Sequence, residues 1–144
     1  MTDADPPEGF ERHFRKSPLT EPWEPLYSRR TEDGVTLALR AGEAHCNGRG
    51  FVHGGLIASL VDNAMGLSCA EVLGEGHSLV TASLTVNYLG SAQRGQWVTF
   101  ASPSRKLGGT LCFTEGLVLA DGAPCATASG VFRRVTGEPR SKAA

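Results

Sequence analysis

One long helical pattern, followed by a series of strand patterns, limits what this 144-residue chain can fold into. From Leu56 to Ser68 the apolar side chains recur at helical spacing over a wide arc, which predicts a mostly enclosed helix. After residue 77 the apolar side chains recur every second residue, as in half-buried strands. Short turns join these strands and predict antiparallel pairing. Only one long helix is therefore available to cover the face of a whole sheet.

The strand patterns before and after the helix complete the predicted architecture. A hairpin turning at Asp33-Gly34 precedes the helix, and four strands follow it. In SLVTASLTVNYL, strict alternation puts Val80 and Tyr88 on one side and Thr81 on the more polar side. We predict an α+β fold in which a curved antiparallel sheet of five to six strands wraps around one long central helix.

The predicted domain occupies residues 27–136. An N-terminal lead and a Pro-rich capping segment are expected over 1–26, and a flexible tail over 137–144. Within the lead, Phe10 and Phe14 are one turn apart, which predicts a short helix over 9–16.

Composition narrows the class of protein. Hydrophobic residues make up 40% and charged residues 20%, and the net charge is −1, so no basic field favours nucleic acid or a membrane as partner. The N-terminus is acidic and Pro-rich rather than signal-like, and no run approaches about 20 apolar residues, so we expect a cytoplasmic protein. The four cysteines form no CxxC pair, and we expect all four to be reduced.

The segment HCNGRGFVHGGLIASLVDNAMG, residues 45–66, concentrates the polar groups that could perform chemistry. Gly54 and Gly55 open the predicted helix, where the first N–H groups have no internal partner and the helix dipole is positive. The region is suited to a developing oxyanion. The alternative is that these glycines only make a tight turn into the helix.

Asp62 lies in the middle of the apolar helix, where a carboxylate is costly unless it is paired or functional. Facing a cleft, it could act as a general base or attack an acyl carbon; the alternative is a solvent-facing position. About 12 Å separates it from Gly54 along a helix, too far for both to act on one carbonyl. A two-fold dimer with antiparallel helices would bring Gly54 of one copy beside Asp62 of the other.

Other polar residues leave alternatives open. Asn47 could hold a loop through an Asx-turn or donate to a substrate oxygen, and Thr81 could be a β-former or hold an attacking water. His45, Cys46, His53 and Asp62 fit no standard metal-ligand spacing, so we expect no metal. The run GRGFVHG lacks the final glycine of a dinucleotide-binding loop.

The combined motif resembles the signature of the hotdog-fold acyl-CoA thioesterases, in particular the PaaI-like, phenylacetic-acid-degradation type. The motif positions are His45, Asn47, Gly50, His53, Gly54, Gly55, Leu60, Asp62 and Ala64. The resemblance, which covers about residues 27–135, implies a hotdog fold, a homodimer with sheets joined edge to edge that often pairs into a homotetramer, and hydrolysis of an acyl-CoA thioester.

The resemblance also assigns roles. Asp62 would be the nucleophile or general base, the Gly54 N–H would polarise the thioester carbonyl, and His53 and Asn47 would shape that pocket. Thr81 falls where the family often has a Ser or Thr near the attacking water. Contacts to the substrate and to CoA phosphates would come from Gly55, Arg105, Lys106 and Arg133, although a solvated charged edge is the alternative for the last three. No cofactor is implied, since CoA is part of the substrate.

Two rival functions share the fold. A hotdog hydratase or dehydratase acting on enoyl-CoA would be expected to use an Asp/His pair in a different motif. A non-catalytic acyl-CoA-binding protein would bind CoA esters without releasing thiol. The acyl group is not specified by the sequence, because the resemblance fails over the Pro-rich residues 17–26, and Phe10, Phe14 and Trp23 could line the pocket.

Overall fold

The computed structural model describes residues 5–32, 34–74 and 76–135. Asp33 of the predicted hairpin turn and the predicted tail at 137–144 lie outside these ranges. The elements are β1 (Glu11–Arg12), β2 (Tyr27–Thr31), β3 (Gly34–Arg40), α1 (Gly54–Leu73), β4 (Ser78–Tyr88), β5 (Trp97–Leu107), β6 (Leu111–Ala120) and β7 (Ala123–Val135). The strands form one antiparallel sheet in the order β1-β2-β3-β5-β6-β7-β4. The predicted α+β architecture is confirmed, with seven strands where five to six were expected.

Helix α1 packs its apolar side against the sheet. Its buried residues are Leu56, Ile57, Leu60, Val61, Ala64, Met65, Ser68 and Cys69. By length and composition alone this 20-residue helix, with a mean hydropathy of 1.4, is long and apolar enough to cross a membrane. The expectation that no segment approaches the length of a membrane helix is therefore wrong for α1. Burial against the sheet accounts for its apolar character here.

The centre of the sheet and α1 approach each other closely. A Cβ added at Gly116 of β6 would lie 2.6 Å from Val61 Cγ2, so only glycine permits this spacing.

A disulfide joins Cys69 of the helix to Cys112 of β6, and both cysteines are buried. The expectation of four reduced thiols is therefore wrong for this pair. The two cysteines are 43 residues apart in sequence, and only the packing of α1 on β6 brings them together.

The segment before residue 27 adds a strand to the sheet rather than the short helix predicted over 9–16. Two of its residues form β1, which pairs with the start of β2. The two phenylalanines do not pack on each other along a helix. Arg29 lies 4.7 Å over the ring of Phe10, and Arg30 lies 3.9 Å over that of Phe14. Cation–π contacts with arginines of β2 thus hold the two rings.

Strand β4 lies at one edge of the sheet and contains a bulge. Its partner β7 pairs with it residue by residue, except that Thr81 is opposite Phe132 and Ser83 is opposite Val131. Ala82 is therefore an extra residue in the ladder.

The bulge changes which side chains of β4 face the helix. Thr81 and Tyr88 both hydrogen bond to α1, and Val86 packs against the core. The predicted alternation, which separated Thr81 from Tyr88, is wrong because the extra residue reverses the phase of the strand. The bulge thereby turns one polar residue toward the helix.

Candidate active site

The first backbone N–H groups of α1 have different partners. The Gly55 N–H donates to His53 Nδ1 at 2.8 Å, and the Ile57 N–H donates to the His53 carbonyl at 3.1 Å. The Tyr88 hydroxyl donates to the Gly54 carbonyl at 2.5 Å. Among the described residues, the Gly54 N–H has no acceptor. A partly exposed N–H at a helix N-terminus is suited to binding an oxyanion.

His53 caps the helix through its own side chain. Because Nδ1 accepts the Gly55 N–H, the neutral ring carries its proton on Nε2, and the side chain is exposed. His53 thus fixes the first turn of α1 beside Gly54.

Asn47 holds the loop that leads to this helix start. Its Oδ1 accepts from the Arg49 N–H at 2.9 Å and from the Phe51 N–H at 3.2 Å. This is the Asx-turn alternative left open by the sequence. The carbonyl oxygen is thus committed to the loop, and the side-chain NH₂ is the group that could donate to a substrate.

His45 connects the same loop to the N-terminal segment, a role that the sequence did not assign. Its ring is buried, with Nδ1 accepting from the Gly42 N–H and Nε2 donating to the Trp23 carbonyl, each at 2.9 Å. Its own carbonyl accepts the His53 N–H at 2.9 Å. His45 therefore links the Pro-rich segment to the residue that caps α1.

Asp62 is half-buried on the side of α1 that faces β4. Thr81 Oγ1 donates to Asp62 Oδ1 at 2.8 Å, and Oδ2 makes no hydrogen bond to a described residue. Burial raises the pKa of the Asp62 carboxyl, and the Thr81 hydrogen bond opposes that rise. In residues 5–32, 34–74 and 76–135, no three His, Cys, Asp or Glu side chains are grouped to hold a metal ion. Asp62 is thus a carboxylate with one oxygen held and one available.

The two halves of the site lie at different levels of one helix. Eight residues separate Gly54 from Asp62, or about 12 Å of helix. Both lie beside β4, where Tyr88 contacts Gly54 and Thr81 contacts Asp62. Within one chain, Gly54 and Asp62 therefore lie along the same strand but too far apart to act on one carbonyl.

The three predicted basic contacts are not grouped with Asp62. Arg105 donates to the Ser102 carbonyl at 3.2 Å and lies beside Gly34, on the β3 side of the helix. Lys106 pairs with Phe113, and Arg133 pairs with Leu111. Phe113 and Leu111 flank Cys112, which is bonded to the helix, so strand alternation puts both on the opposite face of β6. Any role that these cations share with Asp62 requires a ligand that extends well beyond Asp62.

Comparisons with known proteins identify the family of this chain. The sequence profile of the thioesterase superfamily matches residues 49–125. A Pseudomonas aeruginosa protein named as an esterase is 35% identical over 127 residues, covering 88% of this chain and 95% of that protein. Human acyl-coenzyme A thioesterase 13 is 35% identical over 83 residues, covering 56% of this chain and 57% of that protein.

Solved structures show the same fold. A Bacillus halodurans protein with CoA is 30% identical, has a TM-score of 0.65, and covers 69% of this chain and 66% of its own. A variant of the phenylacetic acid degradation protein PaaI from Thermus thermophilus has a TM-score of 0.73 at 21% identity, covering 83% of this chain and all of that one. The chain shares the hotdog fold of these structures, belongs to the thioesterase superfamily and is a thioester hydrolase.

Proposed function

We propose that the protein hydrolyses acyl-CoA thioesters at sites shared between two copies of the chain. The observation that carries the proposal is the half-buried Asp62, held by Thr81 beside the open edge strand β4. The CoA-bound Bacillus halodurans structure and the human acyl-coenzyme A thioesterase support CoA as the leaving group.

The edge strand supports the shared site. Strand β4 is 11 residues long, mostly exposed, and carries apolar side chains, which makes it a template for pairing with another strand. Thr81 and Tyr88 lie on either side of its middle. A two-fold axis near that middle would place Thr81 and Asp62 of one copy beside Tyr88 and Gly54 of the other. One thioester carbonyl could then reach both an Asp62 and a Gly54.

The chemistry of this arrangement balances without a cofactor. The thioester oxygen accepts the Gly54 N–H of one copy, which stabilises negative charge as the carbonyl carbon becomes tetrahedral. Asp62 of the other copy either takes a proton from an attacking water or attacks the carbon itself. The C–S bond then breaks, and the sulfur leaves as CoA thiolate and takes up a proton. In the second route, water cleaves the acyl–Asp62 anhydride to the free acid.

The remaining predicted residues have supporting roles in this proposal. His53 and Gly55 fix the helix start, and Asn47 fixes the loop before it. Arg105, Lys106 and Arg133 are proposed contacts for CoA phosphates, which extend beyond the acyl cleft. Replacing each cation should then raise KM for CoA esters and leave KM for a short thioester without the nucleotide unchanged.

A thiol-release assay over aryl- and alkyl-CoA substrates tests the proposal. Wild type should release free thiol, and Asp62→Asn should lose nearly all turnover with its circular dichroism unchanged. An absence of thiol release with intact CoA-ester binding would support the binding-protein alternative. Consumption of an enoyl-CoA without thiol release would support the hydratase alternative.

A further inference from the structure

We propose that Tyr88 is a positioning residue for the oxyanion donor, an inference that rests on the proposed function. Its side chain extends from the edge strand β4 across the start of α1 and is 50% exposed. The hydroxyl donates to the Gly54 carbonyl at 2.5 Å. A Cβ added at Gly54 would lie 3.3 Å from both Tyr88 Cζ and Oη, so the ring also packs directly on the glycine.

The Tyr88 contact restrains the backbone at Gly54, which is conformationally flexible because it is a glycine. The peptide between Gly54 and Gly55 is held at both polar atoms, by Tyr88 at the carbonyl and by His53 at the N–H. The preceding peptide is held at the His53 carbonyl by the Ile57 N–H. Glycine samples more backbone conformations than any other residue, so without these anchors the Gly54 N–H would point in several directions.

The position of Tyr88 links the helix start to the strand that carries Thr81. Both side chains reach α1 from β4, Thr81 at Asp62 and Tyr88 at Gly54. The strand therefore sets the positions of both reactive groups. The Gly54 N–H contributes to catalysis only when it points at the charge that develops on the thioester oxygen. Because Tyr88 holds Gly54 in place, loss of its hydroxyl should lower kcat more than it raises KM.

The test is Tyr88→Phe, which removes one oxygen and keeps the ring. The matched control is Tyr27→Phe, because Tyr27 is the only other tyrosine of the chain and lies on β2 against Trp97. We expect Tyr88→Phe to lower kcat by about tenfold or more, with KM changed by less than about twofold. Tyr27→Phe should match wild type.

A second readout separates this inference from the proposed function. In hydrogen exchange, the Gly55 amide should exchange several-fold faster in Tyr88→Phe than in wild type or Tyr27→Phe. Three results for Tyr88→Phe would each overturn the positioning role. They are an unchanged kcat in an active enzyme, an unchanged Gly55 exchange rate, and a fall in kcat that is accompanied by a comparable rise in KM and a loss of thermal stability. If wild type released no thiol, the proposed function would fail, and the exchange rates alone would decide the role of Tyr88.

Discussion

Thr81 Oγ1 lies 2.8 Å from Asp62 Oδ1 and donates a hydrogen bond that ties the edge strand to the central helix. The bond occupies one carboxylate oxygen, and the other accepts no hydrogen bond from a described residue. It also favours the charged form of a carboxyl group whose pKa is raised by burial.

Asp62→Asn should reduce kcat by at least about a hundredfold, because an amide can neither accept a proton efficiently nor attack the acyl carbon. Burial raises the pKa of Asp62 in the folded state above its value in the unfolded chain. The free energy of unfolding therefore falls as pH rises from the unfolded to the folded pKa, and ionised Asp62 destabilises the fold at neutral pH. The variant should therefore be no less stable than wild type at pH 7, as measured by thermal unfolding. Glu71→Gln, a carboxylate of the same helix that pairs with Arg30, is the control. Wild-type turnover in Asp62→Asn would refute the assignment.

Thr81→Val should shift the pH profile. Without the hydroxyl, only burial acts on Asp62, and its pKa rises further. The base must be ionised, so the acidic limb of kcat against pH should move to higher pH. Thr81→Ser keeps the hydroxyl and should keep the wild-type limb. A limb at the same pH in Thr81→Val would show that this bond does not control the ionisation of the base.

Gly54→Pro should remove the oxyanion donor without breaking the helix. Proline lacks an N–H but is tolerated at the first position of a helix, which Gly54 occupies. We expect a loss of about 10²–10³ in kcat, in the range found for a single oxyanion donor. Gly54→Ala adds the Cβ that meets Tyr88 at 3.3 Å but retains the N–H, and should lose less. Equal losses in the two variants would assign the effect to crowding.

Mixing the Asp62→Asn and Gly54→Pro proteins should restore activity if each site uses two copies. In a mixed dimer, one site combines the intact Asp62 of one copy with the intact Gly54 of the other. After unfolding and refolding together, random pairing should return about a quarter of the wild-type kcat. Each variant refolded alone is the control. A mixture that forms dimers yet stays as inactive as its components would place both groups in one copy.

The Cys69–Cys112 disulfide should stabilise the fold against unfolding. Closing a loop of this length lowers the entropy of the unfolded chain, which raises the free energy of unfolding by up to about 4 kcal/mol at room temperature. Cys69→Ala/Cys112→Ala should unfold at lower denaturant, whereas Cys46→Ser/Cys125→Ser should keep the bond. Thiol titration of the denatured, unreduced wild type should give two thiols, from Cys46 and Cys125. Four thiols would contradict the disulfide.

The sequence predicted those features that depend on local pattern. The apolar arc of α1 and its polar interruption at Asp62 identified the central helix and a charged group on it. Gly54 was found because helix starts leave N–H groups unpaired. Each of these inferences uses residues within a few turns of one another.

Features that depend on distant packing were missed. Tyr88 donates to a carbonyl 34 residues away, and the Cys69–Cys112 pair depends on where β6 meets the helix. Likewise, strict alternation cannot reveal an extra residue, so Thr81 was assigned to the wrong side of its strand.

The extra residue at Ala82 gives β4 two segments of opposite parity. Deleting Ala82 would restore a continuous two-residue period along β4. The side chains on one side of position 82 would then move to the opposite face of the sheet. Thr81 would then point to the far side of the sheet, while Tyr88 could keep its place. A single-codon deletion, with no change in the chemical character of any remaining side chain, would thus disconnect the carboxylate from its strand.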